Sequence, residues 1–364
     1  MLSSLVGFLI AISLIVFVHE MGHYLAARSL GIKILEFSIG FGKSLFTFKD
    51  KHGTKWKISS IPLGGYVKMF GDTGPSSSAA ISQLSKFPEE LKRQSFAMQS
   101  PLKRAYVAFA GPFANYALAF VIFCAFYSFF GERYISNQIS NIAENSPAYA
   151  SGLKAGDKII SINNRKTNDF EKIYNYISMN PNAEINLEID RLGSIFSVKT
   201  KTTSKEIKDE NGKLLGVIGS IGIYSTEPEI RSLDIFEASA KSFDYLISMS
   251  LLTFDSISQM IIGQRSLDEL KGTLTIADYS GKNLERGWVH FIFFIAMISI
   301  NIGFINLMPI PVLDGGHIIF CFYELLVGRP PSVKMQKILN GFGMLIIIFM
   351  FVISTSNDIK ALLY

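Results

Sequence analysis

The sequence predicts an α-helical polytopic membrane protein of about four transmembrane helices, with a membrane-associated β-hairpin and one extracytoplasmic α+β domain. Three observations carry this prediction. The 364-residue chain is 49% hydrophobic with a mean hydropathy of +0.30, high for a water-soluble globular protein. Four long apolar runs, near 2–30, 105–130, 289–310 and 338–353, reach or approach the ~20 residues a helix needs to cross a bilayer core. Lys and Arg far outnumber Asp and Glu over 28–104, which puts that stretch on the cytoplasmic side.

Each element follows in order. Residues 1–32 form the first transmembrane helix. The run has no positively charged start and is too long for the core of a signal peptide, so it is expected to stay in place. Residues 33–104 lie on the cytoplasmic side. Within 35–70 apolar and polar residues alternate around "KDKHGT", a hairpin pattern, and the aromatic and Gly content suits strands at or in the membrane surface. Residues 72–95, with "GPSSSAA", read as a flexible loop. The second span is 105–131. Residues 132–226 hold a compact outer domain of short helices and strands. Residues 227–287 form an amphipathic helical linker; its weak apolar run at 245–262 carries Asp255 and Gln259. The third span and its polar end occupy 288–317. An inner loop and a short fourth span, interrupted by Gly341 and Gly343, occupy 318–364. Both termini and the 132–226 domain are then outside.

Composition narrows the chemistry. A net charge of +5 gives no reason to expect nucleic acid. The two cysteines, Cys124 and Cys321, sit in or beside apolar runs, so neither a disulfide framework nor a thiolate zinc site is expected. Any metal must be held by His, Asp or Glu.

The first span contains "HEMGH". His19 and His23, four apart on a helix, share one face and can share one ion, and zinc suits imidazole. Glu20 can reach a water on that ion and act as base for amide hydrolysis. Ionisable groups within a span are costly and functional by default, and three occur here within five residues. "NLMPIPVLDGGH" (306–317) ends the third span. Pro309 and Pro311 break the helix, which lipid tolerates only where the break is buried or lines a cavity. Asp314 would complete a His, His, Asp set in the inner leaflet. His317 and Glu324 stay open as other third ligands. In "GPFAN" (111–115), Gly111 permits close helix packing. Asn115 and Asn306 either donate to a substrate carbonyl oxygen or link helices.

The pairing of "HEMGH", "GPFAN", one outer module and "NLMPIPVLDGGH" resembles the site-2 protease family of intramembrane zinc metalloproteases, the bacterial regulator of sigma-E protease type above all, over nearly the whole chain. The resemblance implies Zn2+ on His19, His23 and Asp314, with Glu20 catalytic. It implies that "SIPLGGYVKMFGD", including Gly64, Gly65 and Tyr66, binds substrate as an edge strand. "SPAYASGLKAGDKIISINN" is similar to bacterial PDZ domains, which makes 132–226 a PDZ-like domain able to take a peptide C-terminus and act as a size filter. It implies cleavage of single-span membrane proteins, such as anti-sigma factors or remnant signal peptides, in the bacterial inner membrane, with lipid as the surrounding partner. Two departures stand out: one PDZ-like module where several relatives have two, and "GTLTIADYSG" (272–281) where many have a "GP-I-x-IA" stretch. The residues alone leave two other classes. A non-enzymatic scaffold would be indifferent to Glu20→Gln. A zinc transporter would need further acids or histidines along the spans.

Overall fold

The computed structural model describes residues 2–72, 87–167, 169–208, 214–263 and 266–363. The expected flexible loop at 72–95 falls mostly on 73–86, which lie outside the described residues; beyond them Glu89–Arg93 is a short helix. The chain forms two compact units, Met1–Phe126 with Ile235–Tyr364, and Tyr127–Asp234. In chain order the main elements are α1 (Leu2–Ser29), β1 (Ile34–Lys49), β2 (Lys55–Met69), α2 (Pro101–Phe130), β3 (Ile139–Ile142), β4 (Lys158–Ile162), α3 (Phe170–Ser178), β5 (Glu184–Arg191), β6 (Ser194–Lys201), β7 (Thr203–Lys208), β8 (Leu214–Ser220), β9 (Ile223–Ser225), α4 (Ile235–Ile261), α5 (Thr273–Glu285), α6 (Trp288–Leu307), α7 (Asp314–Val327) and α8 (Val333–Leu363).

Among the described residues four helices are long and apolar enough to cross a membrane: α1, α2, α6 and the 333–360 part of α8. α1 packs on α6 through Ala11, Ile15, Phe291 and Ile295, with Ile122 of α2 against them. Side chains such as Leu345, Phe349 and Val352 stay exposed on α8, as lipid-facing positions do. The fourth span was expected to be short. It is instead the longest helix among the described residues, at 31 residues. Its last turns are polar, and hydropathy does not register them, yet they are buried against partners. The Asp358 carboxylate accepts the N–H groups of Gly272, Leu274 and Thr275 at 2.9–3.1 Å, so it caps the start of α5 from another helix. Asn357 donates to the carbonyls of Leu267 and Leu270. The divergent 272–281 stretch is therefore mostly helix, and its Ser280 and Gly281 pack on Gly7 and Ser4 of α1.

α4 is a single helix of 27 residues packed along α2 and α6. The Tyr116 and Ser250 hydroxyls are 2.9 Å apart, the Phe123 and Tyr245 ring centroids 4.8 Å, and Thr253 donates to Asn301 Oδ1 at 3.1 Å.

The hairpin is more than a simple pair. β1 and β2 turn at "KDKHGT", and each then bends on itself. The Ile34–Ile39 part of β1 pairs with both halves of β2, giving the order 44–49, 55–61, 34–39, 65–69 across the sheet. The bend in β1 uses Gly40 and Gly42 and that in β2 uses Gly64, all at positive φ where only glycine is unstrained. One face is aromatic: Tyr24 of α1, Phe37, Trp56 and Phe48 follow one another at 4.4–5.8 Å between centroids. The other face is polar, with Glu36 bonded to Lys57 and Tyr66. At the turn, burial pushes the Asp50 carboxyl up, but the Trp56 indole, two backbone N–H groups and the Tyr24 hydroxyl bring it down to about 2.

The second unit has a sheet of 165–166, β4, β5 and β6 in that order, and smaller pairs β3–β9 and β7–β8. Ile185, Leu187 and Ile189 alternate inward along β5, and Phe170, Ile173 and Ile177 of α3 meet them in one core. Asp169 caps α3 by accepting the Glu171 N–H. Beneath the "GLKAGD" turn, Asp157 is almost fully buried and makes a two-point contact with Arg191 at 2.6 and 2.8 Å. Burial raises the Asp157 carboxyl, but the Arg191 guanidinium and the Lys154 N–H hold it below its usual range. That pair therefore stabilises the fold above about pH 4 and ceases to do so as pH falls through the lowered folded value. Asp157→Asn should cost about 2–3 kcal/mol at neutral pH. In thermal melts of the purified chain, the gap to wild type should narrow below pH 4.

Candidate metal centre

His19 and His23 lie in the C-terminal half of α1, one turn apart, with ring centroids 4.8 Å apart. Asp314 arrives from a different element. α6 ends at Leu307, the two prolines carry the chain through a non-helical stretch, and Asp314 opens α7. Within that stretch Val312 has φ +92°, a value strongly disfavoured for a β-branched residue. The strain sits two residues before Asp314, in the turn that aims the carboxylate back at α1.

The three side chains converge closely. His19 Nε2 is 3.2 Å from His23 Nε2 and 3.1 Å from Asp314 Oδ2, and His23 Nε2 is 3.4 Å from Asp314 Oδ1. Three donors at about 2.0–2.1 Å from a tetrahedral zinc sit about 3.3–3.4 Å from one another. The observed triangle matches that spacing and the donor set suits zinc, so these residues fit the ion. Their side chains keep 12, 11 and 18% exposure, enough for a water to approach. Among the described residues this is the one group of His, Cys, Asp or Glu able to hold a metal.

The shell around the triangle is set by α2. The His23 Nδ1–H donates to the Val107 carbonyl at 2.8 Å, which leaves Nε2 with its lone pair toward Asp314. Gly111 lies against the His23 ring, and a Cβ there would overlap it. Gly22 of α1 lies equally close to the Ala110 carbonyl. Asn115 is fully buried, with its amide 3.3 Å from His19 Nδ1. Val107, Gly111 and Asn115 thus form an i, i+4, i+8 stripe facing the two histidines. That periodicity is visible in the sequence, but what each member touches is not.

Glu20 sits within electrostatic reach of His19, His23 and Asp314 and accepts the Val67 N–H. Val67 belongs to the edge segment 65–69 of the sheet. Gly65 of the same segment lies against Val16 and Glu20, where a Cβ would come within 2.9 and 3.1 Å of their side chains. Gly65 is therefore at the centre, whereas Gly64 lies against the Phe41 ring and Tyr66 turns to the opposite face and bonds Glu36. Asn306 is half-buried in the last turn of α6. Of the alternative ligands, Glu324 is engaged by Arg104 at 2.5 Å and His317 is exposed on α7; neither joins the triangle.

The model of peptidase family M50 matches residues 7–350. A protein of Rickettsia conorii named a zinc metalloprotease is 41% identical over 99% of both chains. One of Agrobacterium fabrum, also so named, is 37% identical over 99% of this chain and 96% of its own. A metalloprotease of Caulobacter vibrioides is 31% identical over 98% of this chain and 95% of its own. Among solved structures, the PDZ domain of the SdrC-like protein of Listeria monocytogenes is similar to 26% of this chain and 90% of its own, at 19% identity and a TM-score of 0.20. The chain belongs to peptidase family M50, the site-2 proteases, and is a zinc metalloprotease of that family.

Gly111→Ala should displace the His23 ring and sharply lower the zinc bound per purified chain. Gly341→Ala, where a Cβ meets open space, should leave it unchanged. Elemental analysis of both variants checks this.

Proposed function

We propose that this M50 peptidase is an intramembrane endopeptidase that cuts transmembrane segments of single-span membrane proteins, with zinc held by His19, His23 and Asp314 and Glu20 as the general base. The observation that carries the reading is the 3.1–3.4 Å triangle of two imidazole nitrogens and a carboxylate, formed between a membrane-spanning helix and the break after another. A soluble substrate would not require such a site to sit within apolar helices. The inner leaflet is the depth favoured by the basic 28–104 segment, which puts both termini and the 132–226 domain outside. We read that domain as PDZ-like and the membrane as the bacterial inner membrane.

When bound, the zinc ion supplies a Lewis acid that lowers the pKa of a water and polarises the scissile carbonyl. The rest is done by the chain. Glu20 takes the proton as the water attacks and returns it to the leaving amine nitrogen, so no proton is gained or lost over the cycle. The Val67 N–H holds the Glu20 carboxylate in position. A transmembrane helix has its own backbone bonds and must unwind to be cut. The edge segment 65–69 offers compensating backbone groups next to Glu20, and the substrate adds to it as a strand. Gly65, which faces Glu20, keeps that edge low enough for a substrate backbone to pass, and Gly64 at positive φ makes the bend that leads into it.

Glu20→Gln should cut cleavage of a reconstituted single-span substrate by about 100-fold or more while zinc content stays at wild type. His23→Ala and Asp314→Ala should lose both. Cleavage undiminished in Glu20→Gln would sink the assignment.

A further inference from the structure

The two zinc-facing histidines make unequal demands on their surroundings. For a zinc-binding imidazole, the nitrogen on the metal carries a lone pair and the other carries a proton that needs an acceptor. His23 meets this plainly: its Nδ1 lies 2.8 Å from the Val107 carbonyl, which can only accept. His19 Nδ1 has one described neighbour within hydrogen-bond reach, the Asn115 side-chain amide at 3.3 Å. An amide presents either its oxygen or its nitrogen after a half-turn, and the two ends fit the same space.

With the nitrogen toward the ring, His19 Nδ1 must accept. The proton then sits on Nε2 and points at Asp314 and His23, where the metal belongs. The Asn115 oxygen is in that case buried without a partner. With the oxygen toward the ring, Nδ1–H donates to it and the Nε2 lone pair joins that of His23. Asn115 is also held firmly and out of solvent. It has no exposed surface, and the Ser299 hydroxyl donates to its backbone carbonyl at 2.9 Å.

We infer that Asn115 is a positioning residue for zinc: its side-chain oxygen accepts the His19 Nδ1 proton and so fixes the tautomer that binds through Nε2. α2 thereby orients both ligands of α1, His23 through a main-chain carbonyl and His19 through a side chain. This assigns Asn115 a place behind the ligand rather than beside the substrate carbonyl. It rests on the metal-site reading above.

The test is the zinc affinity of the full purified chain in detergent, measured by competition with a chromophoric chelator and independent of any cleavage assay. Asn115→Leu, of similar shape with no acceptor, should bind zinc about 10–100-fold more weakly. Asn115→Asp, which can only accept at neutral pH, should stay within about threefold of wild type or bind more tightly, since carboxylates are common acceptors behind ligating imidazoles. If the Leu variant fails to fold, Asn115→Ala, which also lacks an acceptor, takes its place, and loss of affinity in Asn115→Asp overturns the inference on its own. If Asn115 instead donates to His19, or merely joins helices, Asn115→Asp loses affinity as Asn115→Leu does, or neither loses it; either result overturns the inference. Absence of zinc binding by the wild type would overturn the metal-site reading beneath it.

Discussion

The membrane unit is organised around one constraint: two imidazoles and a carboxylate are held against each other inside a bundle of apolar helices. Groups of this kind are expensive to bring out of water, and they persist in a span only where partners compensate for lost hydration. The compensation requires atoms from distant parts of the chain to meet within a few tenths of an ångström. Much of the local oddity follows from that. The chain after α6 carries two prolines through a non-helical stretch, Val312 takes an unfavourable backbone conformation, and glycine stands where α2, the sheet edge and α5 come close to α1.

The same constraint explains why α1 is enclosed on several sides. α2 supplies the carbonyl behind His23 and the amide behind His19. The bent sheet brings its 65–69 edge to Glu20, and α7 delivers Asp314. α5, capped from a distance by Asp358, packs on the first two turns of α1. A helix surrounded in this way holds its ligands in fixed rotamers, so a metal would meet a site already formed. The Arg104–Glu324 pair near the start of α2 works in the same direction, tying α2 to α7 so that Val107 and Asp314 approach α1 together.

Some of this was legible in the sequence and some could not be. The spans follow from hydropathy, and HEMGH follows from helical periodicity, because both are local. Asp314 was legible as the acid beside a proline-broken span end. The doubling of the hairpin was not, since it depends on positive φ at Gly40, Gly42 and Gly64 rather than on the alternation of apolar residues. Hydropathy understates the length of α8 because Ser354, Asn357 and Asp358 lower it, although in the fold Asn357 and Asp358 are bonded to the segment around α5. Asp255 and Gln259 make the linker amphipathic in the sequence, and that pattern does not reveal its packing along α2 and α6. The contact between Asn115 and His19 links positions 96 residues apart, and no spacing rule connects them.

In this site zinc would be held by nitrogen and oxygen donors from two segments of the membrane unit. X-ray absorption at the zinc edge of the purified, catalytically intact protein tests it most directly. The expected spectrum has about four light scatterers at about 2.0–2.1 Å, with the outer-shell pattern of two imidazoles and no sulfur. A sulfur shell near 2.3 Å, or zinc with a single imidazole, would contradict it.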